Sequence, residues 1–294
     1  MLKRFLFVLS VPLAVATGSL RAAEPKELLK PVNLPCNSRA DEDEPHVTSS
    51  GNVLYYACNA RGKWDLHVSS RASARQKWGP GKIPDDYLQT RGDDSSVFVL
   101  TDGRYPQYLF YASKKDNRED GANFDLYVAV RQGPGKAFSA PTPVQATATA
   151  EDEMHPWVTA DGKEFYFSRR TKDGWRVLVA PRPNPFGPIA GDPKLIEELP
   201  PDFHHATLTP DGRTMYLQGP LGNGRWGLFV SHRSKDGWSK PESLDTLNHP
   251  DGPTGDRSPN LSRDGSLLYF ASDRPGGQGG LDLYAIETKQ LAKK

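Results

Sequence analysis

The sequence lacks an excess of charge and a hydrophobic run long enough to span a membrane. Its 294 residues carry 37 basic and 36 acidic side chains, so bulk charge predicts no nucleic-acid partner and no binding to an anionic membrane surface. The longest apolar run, residues 5–16, is too short for a transmembrane helix. With only 2 cysteines, the chain also lacks a disulfide framework of the kind that holds small secreted domains together.

The amino-terminal residues have the pattern of a secretory signal peptide. Lys3 and Arg4 precede the apolar run, and small residues follow it. Cleavage after Gly18, Ala22 or Ala23 fits this pattern, and we place the boundary at residue 22. We therefore expect residues 1–22 to be removed and residues 23–294 to form one periplasmic or secreted domain, which has no transmembrane segment.

Export also bears on the two cysteines, Cys36 and Cys58. Disulfides form and persist in oxidising compartments outside the cytosol, so export predicts a disulfide between this pair. The alternative is two buried thiols that remain unpaired.

A repeat becomes visible when the turn dipeptides are aligned. They are Ser50-Gly51, Asp102-Gly103, Asp161-Gly162, Asp211-Gly212 and Asp264-Gly265. Each turn is followed by an aromatic-rich run such as VLYYAC or LLYFAS, and then by a second run such as WDLHV or LDLYA. Alternating β-branched and aromatic residues are typical of strands, and no stretch between these runs shows helical spacing.

A fourth element follows the first four units, in which an aromatic residue precedes a proline by two or three positions, as in Trp78-Gly-Pro80. The fifth unit lacks it, but residues 28–34 near the amino terminus have a similar pattern. A strand from the start of the chain that completes the last unit would close a ring. The sequence thus predicts an all-β, five-bladed β-propeller of four-stranded antiparallel blades. The repeats lie at about 41–84, 93–144, 152–196, 202–244 and 256–287 plus 28–34. An open array of β-units or a two-domain sandwich is the alternative.

The pattern SPxLSxDGxxLYFASDRPGGxGGxDLY, residues 258–284, resembles the WD40-like propeller repeat of TolB-type cell-envelope proteins. The resemblance covers residues 41–287 in five copies. It implies a propeller that binds other molecules, often proteins. This chain differs from TolB in lacking an amino-terminal α/β domain and in having five units rather than six, so the partner of TolB is not implied.

The alignment also places polar residues at the start of the innermost strands, where five blades meet at the mouth of the central channel. The first column contains Glu42, Asp94, Glu153, Phe203 and Asp256, and Asp202 lies one position before Phe203. The second column, two positions later, contains Glu44, Ser96, His155, His205 and Ser258, and His204 lies beside it. Such an acidic ring raises or couples carboxyl pKa values unless a cation offsets the repulsion.

Three interpretations of these columns remain open. In the first, the acids are structural and accept backbone N–H bonds within their own turns. In the second, His155, His204 and His205, with Glu153 and Asp202, capture a ligand or a metal ion. In the third, Glu42, Asp94 and Glu153 resemble the carboxylates that five-bladed glycoside hydrolases place around a sugar.

From these patterns we expect an exported, monomeric, non-catalytic propeller that binds an envelope or extracellular protein, or a glycan, at the channel mouth. No cofactor is predicted, although a divalent cation is compatible with the ligand types. The alternative function is a carbohydrate-active enzyme that uses the channel-mouth carboxylates.

Overall fold

The computed structural model describes residues 27–84, 87–101, 105–114, 123–184 and 186–291. The predicted signal peptide and the turn at Asp102-Gly103 lie outside these ranges. Among the residues that are described, no helix is both long and apolar enough to cross a membrane.

The strands form five small antiparallel sheets, which confirms the predicted five-bladed β-propeller. Blade one contains β2 (Glu42–Val47), β3 (Val53–Cys58) and β4 (Asp65–Ser70); blade two contains β5 (Asp94–Leu100), β6 (Gln107–Ser113), β7 (Asp125–Arg131) and β8 (Thr142–Pro143); blade three contains β9 (Glu153–Val158), β10 (Glu164–Thr171), β11 (Gly174–Pro181) and β12 (Lys194–Leu195). Blade four contains β13 (His204–Leu208), β14 (Thr214–Gly222), β15 (Arg225–Ser234), β16 (Gly237–Trp238) and β17 (Glu242–Ser243); blade five contains β18 (Asp256–Leu261), β19 (Leu267–Ser272), β20 (Asp282–Glu287) and β1 (Val32–Asn33). A short 3-10 helix, Thr288–Gln290, follows β20.

Two blades depart from the four-stranded pattern: in blade four both β16 and β17 pair with β15, and blade one has three strands. Its sheet has the order β2-β3-β4, and its fourth strand is reduced to a single antiparallel bridge between Val68 and Lys82. The two backbone hydrogen bonds of this bridge measure 2.7 and 3.0 Å.

The amino-terminal strand completes the last blade, as the sequence predicts. In β1, Val32 lies opposite Ala285 of β20, and the antiparallel pairing gives blade five the order β1-β20-β19-β18. Asn37 extends this closure, because its side-chain amide donates to the carbonyl of Leu283 at 2.9 Å and its side-chain oxygen accepts from the N–H of Leu283 at 2.9 Å. The two ends of the chain are therefore joined by backbone and side-chain hydrogen bonds.

The second strand of each blade is buried on both faces. In β3 and β19, five of six residues are buried, because each blade packs between its two neighbours. A strand covered on both sides reads as a nearly continuous apolar run rather than an alternating one. This explains the VLYYAC and LLYFAS segments, whose aromatic side chains fill the spaces between blades.

The innermost strands share a β-bulge that directs side chains into the central channel. In each of them the register against the second strand slips, and at the slip one residue has a left-handed backbone conformation. These residues are Glu44 (φ 53°), Ser96 (φ 56°), His155 (φ 56°), His205 (φ 53°) and Ser258 (φ 56°). Non-glycine residues rarely adopt this conformation, and a bulge re-aims the side chains around it.

Cys36 and Cys58 are free thiols in the structure, so the predicted disulfide is not formed there. Both side chains are buried in one cluster with Tyr56, where burial raises the pKa of Cys36 to about 12 and that of Cys58 to about 11. Thiols with such pKa values carry almost no thiolate at neutral pH, and the thiolate is the reactive form.

Candidate functional site

The first acidic column lies in turns rather than in the channel. Each carboxylate accepts hydrogen bonds from residues that precede its own strand. The donors are Ser38 N (3.0 Å) to Glu42, Thr90 N (2.7 Å) to Asp94, Thr149 N (3.3 Å) to Glu153 and His249 N (2.7 Å) to Asp256. Burial raises the pKa of Glu42, Asp94 and Glu153, and the same hydrogen bonds oppose that rise. The structure thus places these groups where they fasten each innermost strand to the preceding loop.

A second set of aspartates, one position earlier, links neighbouring blades. Each accepts the backbone N–H of a residue within one position of the start of the third strand of the preceding blade. The pairs are Asp41 with Leu281 (2.9 Å), Asp93 with Trp64 (3.1 Å), Asp152 with Phe124 (2.8 Å) and Asp202 with Trp175 (3.1 Å). Asp202 therefore belongs to this blade-linking set and not to the column that contains Glu153.

The channel mouth contains an open cavity of about 260 Å³. Its lining includes the carboxyl groups of Asp43, Glu44 and Asp93, the cations Lys114 and Arg257, and the rings of Trp64 and Phe124. The aromatic, anionic and cationic side chains come from three different blades. We call this space the mouth cavity.

Two of these carboxyl groups form the floor of the mouth cavity. Asp43 is 2% exposed and lies 2.7 Å from the guanidinium of Arg257. Glu44 is 5% exposed and accepts hydrogen bonds from Ser96 N at 2.6 Å and from the hydroxyl of Ser95. Burial raises the pKa of both acids, while the charge of Arg257 opposes the rise.

Asp93 occupies the rim of the same cavity. Its side chain is 28% exposed, and its Oδ2 lies 3.4 Å from the ammonium of Lys114. Since Oδ1 accepts the N–H of Trp64, the outer oxygen of Asp93 is the one that faces the cavity and water.

Three histidines pack together beside Glu44 along the channel. The rings of His155 and His205 stack at 4.1 Å, and His204 stacks on Trp175 at 5.3 Å. Burial lowers the pKa of His204 to about 4 and the pKa of His155 and His205 well below the ordinary histidine value. All three imidazoles are therefore uncharged at neutral pH.

The predicted site residues separate into two groups. Glu44, His155 and His205 converge at the channel axis, with His204 adjacent, whereas Glu42, Asp94, Glu153, Asp202 and Asp256 are held in turns or between blades. Sequence reasoning missed Asp43, Asp93, Trp64 and Arg257. Asp93 and Trp64 belong to columns that recur around the ring, one with Asp41, Asp152 and Asp202 and the other with Phe124, Trp175 and Trp226. The shared position of Asp43 and Arg257 holds unlike residues in the other blades, so it gave no repeat signal.

Comparison with known proteins finds similarity in three-dimensional structure but no match by sequence. Neither a protein-family model nor a curated protein matches the sequence. The α-L-arabinofuranosidase PaAbf62A from Podospora anserina, solved with cellotriose, has 12% identity and a TM-score of 0.60, over 88% of this chain and 94% of that one. The endo-arabinase from Bacteroides thetaiotaomicron has 15% identity and a TM-score of 0.58, over 87% and 96%. TolB from Acinetobacter baumannii has 14% identity and a TM-score of 0.46, over 85% and 56%.

These comparisons overturn the expectation of a non-catalytic binding scaffold. Solved structures that share the fold over nearly the whole of both chains are arabinan-cleaving and arabinofuranoside-cleaving enzymes by their descriptions. At such identities the likeness establishes the propeller fold alone. The choice of function for this chain therefore depends on its own channel mouth.

Proposed function

We propose that this protein is a carbohydrate-active enzyme that hydrolyses a glycosidic bond in the mouth cavity. The observation that supports the proposal is the presence of carboxyl groups from two blades around one open space of about 260 Å³. Glycoside hydrolysis requires two such groups on opposite sides of the bond that breaks. Solved structures with a similar fold include an α-L-arabinofuranosidase and an endo-arabinase, which supports this reading of the site.

We assign the two roles to Asp43 and Asp93. Asp43, on the floor, donates its proton to the glycosidic oxygen as the bond from that oxygen to the anomeric carbon breaks. Asp93, at the rim and in contact with water, removes a proton from the water molecule that attacks the anomeric carbon. Asp43 and Glu44 both have partners at each oxygen: Asp43 accepts the N–H of Glu44 at 2.8 Å and lies 2.7 Å from Arg257, and Glu44 contacts Ser95, Ser96 and His155. We assign the acid role to Asp43 because its partner Arg257 lines the mouth cavity, whereas Glu44 is directed at His155 and the channel axis.

The lining of the mouth cavity favours a neutral sugar. Trp64 and Phe124 offer aromatic surface against which the apolar face of a sugar ring can pack. Both cationic side chains of the lining already contact a carboxyl group, Lys114 that of Asp93 and Arg257 that of Asp43, so neither is free to bind the carboxylate of a uronic acid. Arabinose- or xylose-containing glycans are therefore the proposed substrate class.

The proposal includes export to the periplasm or the medium, where such polysaccharides occur. The amino-terminal pattern of Lys3, Arg4 and the apolar run supports it. The WD40-like pattern of residues 258–284 supports a TolB-type repeat as the origin of the blades.

A glycan panel tests the function. We expect the purified protein to release sugars or oligosaccharides from arabinan, arabinoxylan or xylan, and none from polygalacturonate, as measured by anion-exchange chromatography of the products. The Asp43→Asn variant serves as the control for contaminating activity and should release none. An absence of product from every neutral glycan in the panel would refute the proposal.

A further inference from the structure

Glu44, His155 and His205 meet at the channel axis beneath the mouth cavity. They occupy the same position in blades one, three and four, at the bulge where the left-handed backbone points the side chain inward. One ligand atom from each side chain lies within 4.8 Å of the others. Nε2 of His155 lies 3.2 Å from a carboxylate oxygen of Glu44.

We propose that Glu44, His155 and His205 bind a divalent transition-metal ion of the zinc type at the channel axis. Two imidazole nitrogens and one carboxylate form a ligand set that zinc accepts at sites with three protein ligands, where a water molecule takes the fourth position.

The unsatisfied polar atoms of the histidines support a ligand at this place. His155 is 8% exposed and His205 is 6% exposed, and the Nδ1 atom of each is buried without a hydrogen-bond partner. A buried polar atom without a partner costs about 1 to 3 kcal/mol. His155 faces Glu44 through Nε2, so an ion between these two side chains would not reach its Nδ1, whereas Nδ1 of His205 can serve as a ligand atom.

The space between the three side chains is small, and half of the residues that line it are polar. A cavity of about 10 Å³ is lined by Glu44, His155, His205, Ser96 and Asn260, among others. That volume corresponds to about one water-sized occupant. It suits a single ion and excludes an organic cofactor.

The surroundings of Glu44 fix the orientation of its carboxylate. Ser96 N and the hydroxyl of Ser95 both donate to Oε2, which leaves Oε1 directed at His155 and the axis. Outer hydrogen bonds of this kind orient metal ligands.

The donor types also indicate which ions are disfavoured. Ca²⁺ and Mg²⁺ prefer sets of oxygen ligands, and Ca²⁺ takes six to eight of them. Only one carboxylate is present among the three ligands, and two of the donors are nitrogen. We therefore expect strong preference for Zn²⁺ or Co²⁺ over Ca²⁺.

Metal titration of the chelator-treated full-length protein tests this inference. We expect one equivalent of Zn²⁺ to bind in calorimetry, Co²⁺ to produce visible d–d absorption, and Ca²⁺ to give no heat of binding. His205→Ala and the near-isosteric Glu44→Gln should each weaken Zn²⁺ binding at least about 100-fold. His204→Ala is the matched control, because His204 packs against His155 but is not in the ligand set, and it should bind Zn²⁺ as the wild type does.

Two results would overturn the inference: no stoichiometric Zn²⁺ binding by the wild-type protein, or equal affinity in the Glu44→Gln variant with an unchanged Co²⁺ spectrum. Circular dichroism of each variant shows whether the propeller has folded, and Glu44→Gln provides the decisive comparison if His205→Ala does not fold. Because the readout is metal binding, the outcome is independent of whether the protein hydrolyses glycans.

Discussion

Replacing Asp93 with asparagine is expected to lower kcat/KM for glycan hydrolysis by about 10² to 10⁴-fold, the usual contribution of a general acid or base. The variant retains Oδ1 as the acceptor for the N–H of Trp64, so the link between blades one and two should persist. What it loses is the second carboxylate oxygen, which faces the mouth cavity and accepts the proton from water in the proposed mechanism. Initial rates on the best substrate of the panel measure the effect.

Asp152→Asn is the matched control for this substitution. Asp152 accepts the N–H of Phe124 at 2.8 Å, just as Asp93 accepts that of Trp64, but it does not line the mouth cavity. We expect its kcat/KM to stay within about 3-fold of the wild type, since only a blade-linking bond is altered. Equal losses in the two variants would show that Asp93 acts through the fold and would remove its catalytic role.

Asn37→Ala is expected to lower the free energy of unfolding by about 1 to 3 kcal/mol. The side chain of Asn37 makes two buried hydrogen bonds to the backbone of Leu283, both at 2.9 Å. Alanine leaves that N–H unsatisfied at the place where the ring closes, while the carbonyl of Leu283 still accepts the N–H of Leu34 at 2.9 Å. Asn248 makes the same pair of bonds to Leu228 in blade four, at 2.7 and 3.0 Å, so the arrangement is a repeated element of the fold.

Urea unfolding followed by far-ultraviolet circular dichroism measures this loss. Asn37→Asp keeps the acceptor for the N–H of Leu283 and removes the donor to its carbonyl, so an intermediate loss is expected. Asn123→Ala is the control, because its hydrogen bonds to Thr149 and Glu151 are solvent-exposed, and it should change stability by less than about 0.5 kcal/mol. A loss in Asn37→Ala no larger than that of the control would contradict the closure argument.

Much of the fold could be predicted from the sequence because local rules determine it. The turns illustrate this: the carboxylate of Asp161 accepts from Thr159 Oγ1 at 2.7 Å, and Asp264 accepts from Ser262 Oγ at 2.6 Å. Each such turn is specified by residues within a few positions of one another. The displaced outer strand, residues 28–34, could be predicted as well, since one missing element at the end of the chain matched one surplus element at its start.

The site could not be predicted in the same way. Aligning repeats selects what the blades share, and the shared acids Glu42, Asp94 and Glu153 serve each blade's own turn. Asp43, on the floor of the mouth cavity, occupies a position at which the blades differ. The residues that align with Asp43 include Ser95 in blade two and Arg257 in blade five, so the repeat alignment shows no shared residue type at this position.

The bulge in the innermost strands is a second reason why the site could not be predicted from the sequence. A regular strand would send alternate side chains to opposite faces, whereas the left-handed residue at the bulge brings consecutive side chains, Asp43 and Glu44, to the mouth cavity. Glu44, serine and histidine at this position give no sequence signal for a left-handed backbone, which glycine or asparagine would have provided.

A crystal structure of the Asp93→Asn variant with an arabinose- or xylose-based oligosaccharide tests the proposed active site most directly. We predict a sugar ring in the mouth cavity, packed against Trp64, with a glycosidic oxygen within hydrogen-bonding reach of Asp43, about 2.6 to 3.2 Å. Sugar bound only elsewhere, for example in the apolar groove of Tyr108 and Phe186 on the outside of blades two and three, would contradict the assignment.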